Sequence, residues 1–415
     1  MKKEIFLAIL LSITCLCLIS GLIIFSELQS DRNPTPPTPS DNEDQAAQAP
    51  IDNIETSAST LDLETRKKAE DFVAGMSLEE KLYQMFFVTP ESLTGVGTVI
   101  QAGETTKAAL QTRPVGGLIY FSENIRARDQ LQTMITKSQE YTKIPLFIGI
   151  DEEGGQVARL SGNPQLGYEK ITPMRSIGDS GDSTKAHAVG QQLAKMLKDF
   201  GFNVDFAPVA DIITNPNNTE IGNRSFGTDP NLVADMVGQE VKGLQGNGVS
   251  AVLKHFPGHG STQTDSHNGY SGSSRTLEEL RKTEFLPFQK GIEAEADFVL
   301  ISHMSAINVD SSSGPSTLSS KIITDILINE LKYDNIIITD SMSMGAITKR
   351  YTTGAATVAA VEAGVDMILM PLSLEEAYAG LQNAVKNGKI SEKRIDESVQ
   401  KIIYIKLKRG IMAVG

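Results

Sequence analysis

Asn335 to Asp340 reads NIIITD, a short β-branched run that ends in a carboxylate. Three isoleucines and a threonine in succession favour an extended chain that is apolar on both faces, the pattern of a strand buried inside a parallel sheet. Seven other runs repeat it: Leu82 to Val88 (LYQMFFV), Gly116 to Phe121 (GGLIYF), Pro145 to Asp151 (PLFIGID), Phe202 to Val209 (FNVDFAPV), Ser250 to Phe256 (SAVLKHF), Asp297 to His303 (DFVLISH) and Val365 to Met370 (VDMILM). Longer amphipathic stretches lie between them, with helix-start signals such as the capping box of Ser77 and Glu80. Eight strands alternating with helices predict an α/β fold, a single-domain (β/α)8 TIM-type barrel over residues 61–415. A doubly wound open sheet is the alternative arrangement.

The polar residues of these runs gather at their C-terminal ends: Asp151, Asp211 just past the fourth run, Lys254 and His255, His303, and Asp340. In a parallel barrel those ends share one face, where barrel enzymes place their active sites. A strand also turns polar simply where it meets water, so one such residue carries little information. Several together point to a site.

The chain has 415 residues, 40% of them apolar, enough for a substantial core. A formal charge of −13 without any Lys/Arg-rich run argues against nucleic acid as a partner. Both cysteines, Cys15 and Cys17, fall in the first apolar segment, which excludes a thiol nucleophile or thiolate metal site in the body. Residues Ile5 to Ser26 carry no charge. As a helix at ~1.5 Å per residue they would span a ~30 Å hydrocarbon layer. Lys2 and Lys3 before the segment predict a cytoplasmic N-terminus and an extracytoplasmic body. Residues 1–26 are therefore expected to be a signal-anchor or signal peptide tying the protein to the cell membrane, or releasing it if cleaved; acylation at Cys15 or Cys17 is a further alternative. Residues 27–60, Pro-rich and polar, read as a disordered linker of roughly 30 Å reach. The body is expected to be monomeric.

Three of the five histidines crowd into Lys254 to His267, KHFPGHGSTQTDSH. His255 and His259 have zinc-motif spacing, but Pro257, Gly258 and Gly260 deny them the helix that spacing needs. No metal and no cofactor are expected, and His259 reads as a structural residue of its loop.

The segment KHFPGHG followed by DSH resembles the signature of glycoside hydrolase family 3 β-N-acetylhexosaminidases of the NagZ type. Ile150 to Leu160 (IDEEGGQVARL), Phe206 to Asp211 (FAPVAD), Asn223 to Pro230 (NRSFGTDP) and Ile338 to Met344 (ITDSMSM) extend the likeness in family order. It departs at Ser261, where the family commonly has Asp, and at Ser341. The resemblance implies retaining hydrolysis of terminal β-linked N-acetylglucosamine from a carbohydrate substrate. It assigns Asp340 as nucleophile and His267, aided by Asp265, as acid/base. It also assigns Asp151, Arg159, Arg224, Lys254 and His255 to holding the sugar. Such chemistry suits the residues: a carboxylate on one side of the anomeric carbon and a proton donor on the other. Asp340 could instead cap a following helix, and the two arginines could pair with nearby acids. Glu152, Glu153 and His303 are expected to support these groups. No Trp is present, so a one-sugar pocket is favoured over an indole-lined cleft. The alternatives are a β-glucosidase or phosphorylase of the same superfamily, a metal-dependent hydrolase, or a surface glycan-binding protein without catalysis.

Overall fold

A computed structural model of the protein describes residues 51–262, 271–312 and 314–413, with side chains from Thr60 onward. The segments read as membrane anchor and linker up to Pro50, together with Asp265 and His267, lie outside the described residues. The chain divides into two compact units, Met1–Ile54 and Glu55–Gly415. The first described helix, α1 (Ile51–Ala74), begins before the Leu61 boundary drawn from composition. Among the described residues no helix is long and apolar enough to cross a membrane.

Eight parallel strands form the centre of the second unit: β1 (Phe86–Val88), β2 (Gly117–Ile119), β3 (Phe147–Ile150), β4 (Val204–Asp205), β5 (Ser250–Phe256), β6 (Phe298–Ile301), β7 (Ile336–Thr339) and β8 (Ile368–Leu369). They pair in the order β7-β6-β5-β4-β3-β2-β1-β8, and a parallel bridge between Ile338 and Met367 joins the two ends. The sheet is a closed barrel, so the open-sheet alternative is set aside. All eight runs contain a strand, though most strands are shorter than the apolar run around them. The first run is partly reassigned: Leu82 to Gln84 end a helix, Leu78–Gln84, that starts at the capping box of Ser77 and Glu80. A capped first turn commits those residues to helix before the apolar run can extend.

Aromatic rings fill the barrel. Phe87 and Phe147 stack at 6.4 Å between centroids, and Phe206 and Phe298 meet them edge-on at 5.5 and 5.2 Å. Gly149 makes that packing possible, since a Cβ there would lie 2.7 Å from the Phe87 ring and 2.8 Å from that of Phe206. Lys406 of the last helix, Glu392–Lys408, is fully buried over Phe147 and donates to Gln84 Oε1 at 2.7 Å, just ahead of β1 at the N-terminal end. Burial pulls its ammonium down to about 7. The N-terminal end is thus closed, and the opposite end is open.

Candidate active site

At the C-terminal mouth lies a cavity of about 510 Å³, lined by Asp151, Arg159, Arg224, Lys254, His255 and Asp340 among others. Six of the eight residues assigned to the site from the sequence thus meet in one place. The other two, Asp265 and His267, fall in the segment outside the described residues. The volume suits a small ligand rather than a polymer groove.

Lys254 and His255 are neighbours in sequence yet both reach the pocket, which strict strand alternation would forbid. The β5–β6 register explains it. Val252 and Leu253 pair with Phe298 and Val299, whereas Phe256 pairs with Ile301, so β5 carries one residue more than its partner between those points. An extra residue of this kind re-aims the side chains beside it.

Glu153 organises the pocket floor. Its carboxylate accepts two hydrogen bonds from Arg224 Nε and Nη2, both at 2.8 Å, and an ion pair from Lys254 Nζ at 2.5 Å. Lys254 also donates to Asp151 Oδ1 at 2.7 Å. Burial pushes the Glu153 carboxyl up, but Arg224 and Lys254 more than offset it and hold the group far below the usual carboxylate range. Burial likewise acts to deprotonate Lys254 and Arg224, and the facing acids raise both above their ordinary values. Removing one member of such a buried set costs roughly 3–5 kcal/mol, because the others lose their counter-charge. Arg224 thus pairs with a nearby acid, Glu153, and lines the cavity as well.

Arg159 differs. Its guanidinium lies 5.8 Å from the centre of the Phe121 ring, and its Nε is buried with no hydrogen-bond partner among the described residues. Among the described residues it forms no ion pair with the nearby acids. A buried guanidinium nitrogen left unpaired in a pocket wall is available to a ligand oxygen.

His255 is oriented from behind: Nδ1 donates to Asp211 Oδ2 at 2.6 Å, and Arg224 Nη2 sits 3.5 Å from Nε2. Fixing one ring nitrogen sets the plane of the imidazole and turns the other toward Arg224. Asp211 is fully buried. Burial raises its carboxyl, but the two histidines beside it bring it below its ordinary value. Its Oδ1 accepts the His259 backbone N–H at 2.6 Å, so one acid anchors both the ring and the Gly-rich loop. Gly260 brings that loop against the chain after β4, where a Cβ would meet the Ile212 carbonyl oxygen at 1.9 Å. The His259 ring is buried, with Thr262 Oγ1 3.0 Å from its Nδ1, and it also lines the cavity, which its reading as a structural loop residue did not anticipate. Among the described residues no three His, Cys, Asp or Glu side chains are grouped to hold a metal ion.

Asp340 follows β7 directly. Its backbone N–H donates to Ile301 at 2.9 Å and its Oδ1 accepts from Ser341 N at 2.7 Å. The helix beyond it, Gly345–Thr348, is preceded by Met344 at the cap position, so Asp340 caps no helix. His303 lies outside the pocket lining. It is buried, donates from Nε2 to the Ser341 carbonyl at 2.8 Å and contacts Thr317 Oγ1 through Nδ1, which holds the chain just past Asp340. Glu152 faces away and accepts the N–H groups of Arg159, Leu160 and Ser161, fixing the turn that carries Arg159. Sequence reasoning left Glu153 among supporting residues and gave Asp211 no role; adjacent acids on alternating faces were the available signal for the first.

Below the floor, Glu240 of the helix Pro230–Gln245 is buried with neither carboxylate oxygen hydrogen-bonded among the described residues. Burial, reinforced by Glu153 and opposed by Lys254, pushes its carboxyl from 4.5 up to about 8. The folded state therefore holds a proton that the unfolded chain releases near 4.5, and folding loses stability as pH rises between those values. Glu240→Gln cannot titrate. Its melting temperature relative to the parent is expected to climb as pH goes from about 5 to about 8 and then level off, read by thermal denaturation across that range.

A closed parallel barrel whose open end holds a small pocket of buried, paired charges and a strand-end carboxylate is the architecture of a barrel enzyme for a small polar ligand. Residues 77–405 match the glycosyl hydrolase family 3 N-terminal domain, and the chain belongs to that family. It is 31% identical over 331 residues to a beta-hexosaminidase of Nitrosomonas eutropha, covering 77% of this chain and 92% of that one. It is 32% identical over 319 residues to beta-hexosaminidase A of Pseudoalteromonas piscicida, covering 71% of this chain, and spans about half of that protein (53%). A solved family 3 beta-N-acetylglucosaminidase from a Paenibacillus species superposes with a TM-score of 0.77 at 34% identity, over 82% of this chain and 64% of that one.

Proposed function

We propose that this protein is a retaining, exo-acting β-N-acetylglucosaminidase that removes the terminal non-reducing sugar from peptidoglycan fragments or related glycans. The observation that carries the reading is the convergence of Asp340 with Asp151, Arg159, Arg224, Lys254 and His255 on one cavity of about 510 Å³. Charged groups paired on the pocket floor suit a ring of hydroxyls, which need strong, directional partners once buried. The likeness to a solved family 3 beta-N-acetylglucosaminidase supports N-acetylglucosamine as that ring.

In this reading an Asp340 oxygen attacks the anomeric carbon as the glycosidic C–O bond breaks, and His267 gives its proton to the departing oxygen. Water then attacks the glycosyl-aspartate, its proton returns to His267, and the Asp340 carboxylate is released. Asp265 positions the imidazole and stabilises its protonated form, as an aspartate does in serine-protease triads. Lys254, Arg224 and Asp151 orient the sugar. The apolar N-terminal segment tethers the body outside the cell membrane, within reach of wall-derived glycans.

The test uses the protein with an aryl β-N-acetylglucosaminide, following the first-formed anomer by NMR with and without phosphate, and the matching glucoside as control. Turnover with retention and without phosphate dependence is expected. Inversion, or no turnover between pH 5 and 8, rejects the mechanism.

A further inference from the structure

The turn that carries Asp340 is held from both neighbouring strands. Asp340 N donates to Ile301 O of β6 at 2.9 Å, and Met342 N donates to Leu369 O of β8 at 2.9 Å. Between them the Ser341 carbonyl accepts from His303 Nε2 at 2.8 Å and from Met344 N at 3.1 Å, which occupies both of its lone pairs. The peptide joining Ser341 to Met342 is therefore gripped at its oxygen by His303 and at its nitrogen by β8. With the peptides on either side fixed, the Ser341 N–H has one direction left, and it donates to Asp340 Oδ1 at 2.7 Å.

Resting on the glycosidase reading, we infer that His303 is a positioning residue for the nucleophile: by holding the Ser341 carbonyl it keeps the Asp340 carboxylate in one orientation toward the anomeric carbon. His303 does not line the cavity, so it acts through the turn and not on the sugar.

The ring is built for that task. A carbonyl oxygen only accepts, so Nε2 carries a proton. On the other side, Thr317 of the short helix Ser316–Leu318 places Oγ1 2.7 Å from Nδ1 and 2.8 Å from Ser302 O. In the neutral ring the Thr317 hydroxyl donates to Nδ1, which fixes the tautomer with its hydrogen on Nε2. If the ring takes a second proton, the hydroxyl turns to Ser302 and accepts from Nδ1, and Nε2 still donates to Ser341. Both His303 and Thr317 are buried, so water does not compete for these bonds. A nucleophile must stand within a few tenths of an ångström of its reacting geometry, and a shift of about 1 Å costs roughly 10²-fold in rate.

The experiment compares His303→Asn, His303→Gln and Thr317→Val with the parent on nitrophenyl and methyl β-N-acetylglucosaminide. The asparagine amide ends near the place of Nδ1, where it meets Thr317 and falls short of Ser341; the glutamine amide ends near the place of Nε2 and restores the donor. His303→Asn is expected to lower kcat by about 30- to 100-fold with KM within about threefold of the parent's. The factor should be the same for both substrates, because a misplaced nucleophile slows attack whatever departs, whereas lost proton donation spares the nitrophenyl glycoside. His303→Gln should recover to within about fivefold of the parent, and Thr317→Val, which keeps the ring and loses only the hydroxyl behind it, should lower kcat by about three- to tenfold. Thr317→Val carries the test if His303→Asn does not fold. Parental kcat in His303→Asn, or in Thr317→Val where only that variant folds, overturns the inference. So does a loss that His303→Gln leaves unrestored, one expressed in KM, or one confined to the methyl glycoside. Absence of turnover by the parent on both substrates rejects the glycosidase reading itself, and this inference with it.

Discussion

Asp340→Asn is expected to lower turnover of an aryl β-N-acetylglucosaminide by more than about 10⁴-fold, since losing a covalent nucleophile elsewhere costs up to about 10⁶. The amide keeps the size of the carboxylate and the oxygen that accepts from Ser341 N at 2.7 Å, so the turn after β7 should persist. What disappears is the negative charge and the ability to form a stable acylal-type bond to the anomeric carbon. A circular-dichroism melt close to the parent's, combined with lost turnover, identifies a chemical defect. Intact-mass measurement of quenched parent enzyme should show a glycosyl adduct that the variant lacks. Activity within tenfold of the parent would remove Asp340 from the nucleophile's role.

His267→Ala is expected to lower kcat by roughly 10²–10⁴, the range for lost general acid/base catalysis. The effect should depend on the leaving group. A nitrophenolate departs without protonation, so its release survives better than that of a sugar alcohol, and hydrolysis of the covalent intermediate becomes the slow step. A burst of nitrophenol followed by a slow steady state is the expected trace. If the proposed dyad holds, Asp265→Asn should give a smaller loss and a shifted pH–rate profile, because an imidazole without a carboxylate partner keeps its proton less well and has no fixed tautomer. Full activity of His267→Ala would withdraw the assignment.

Much of the fold was legible because burial on both faces leaves a local mark. NIIITD, PLFIGID and DFVLISH each yielded a strand, β7, β3 and β6, since continuous β-branched and aromatic runs have few other places to go. The limits of those strands were less legible. FNVDFAPV gave only Val204–Asp205 as strand, with a further bridge from Val209 to Lys254, because Pro208 offers no N–H to a ladder. LYQMFFV lost its first residues to a capped helix.

The site divides in the same way. Sequence by itself determined which residues stand at strand ends: Asp151, Lys254, His255 and Asp340 were fixed to one face once the strands were parallel and eight in number. It also determined the Gly-rich loop after β5, whose composition excludes a helix. Only the tertiary structure decided that Glu153, and not Glu152, grips Arg224 from 71 residues away, that Asp211 reaches back to hold His255, and that Arg159 Nε is buried without a hydrogen-bond partner among the described residues. The physical reason is range. Strand propensity and turn chemistry act over a few neighbouring residues, whereas a buried charge finds its partner through barrel closure and through one extra residue in β5, which set distances that adjacent residues do not encode.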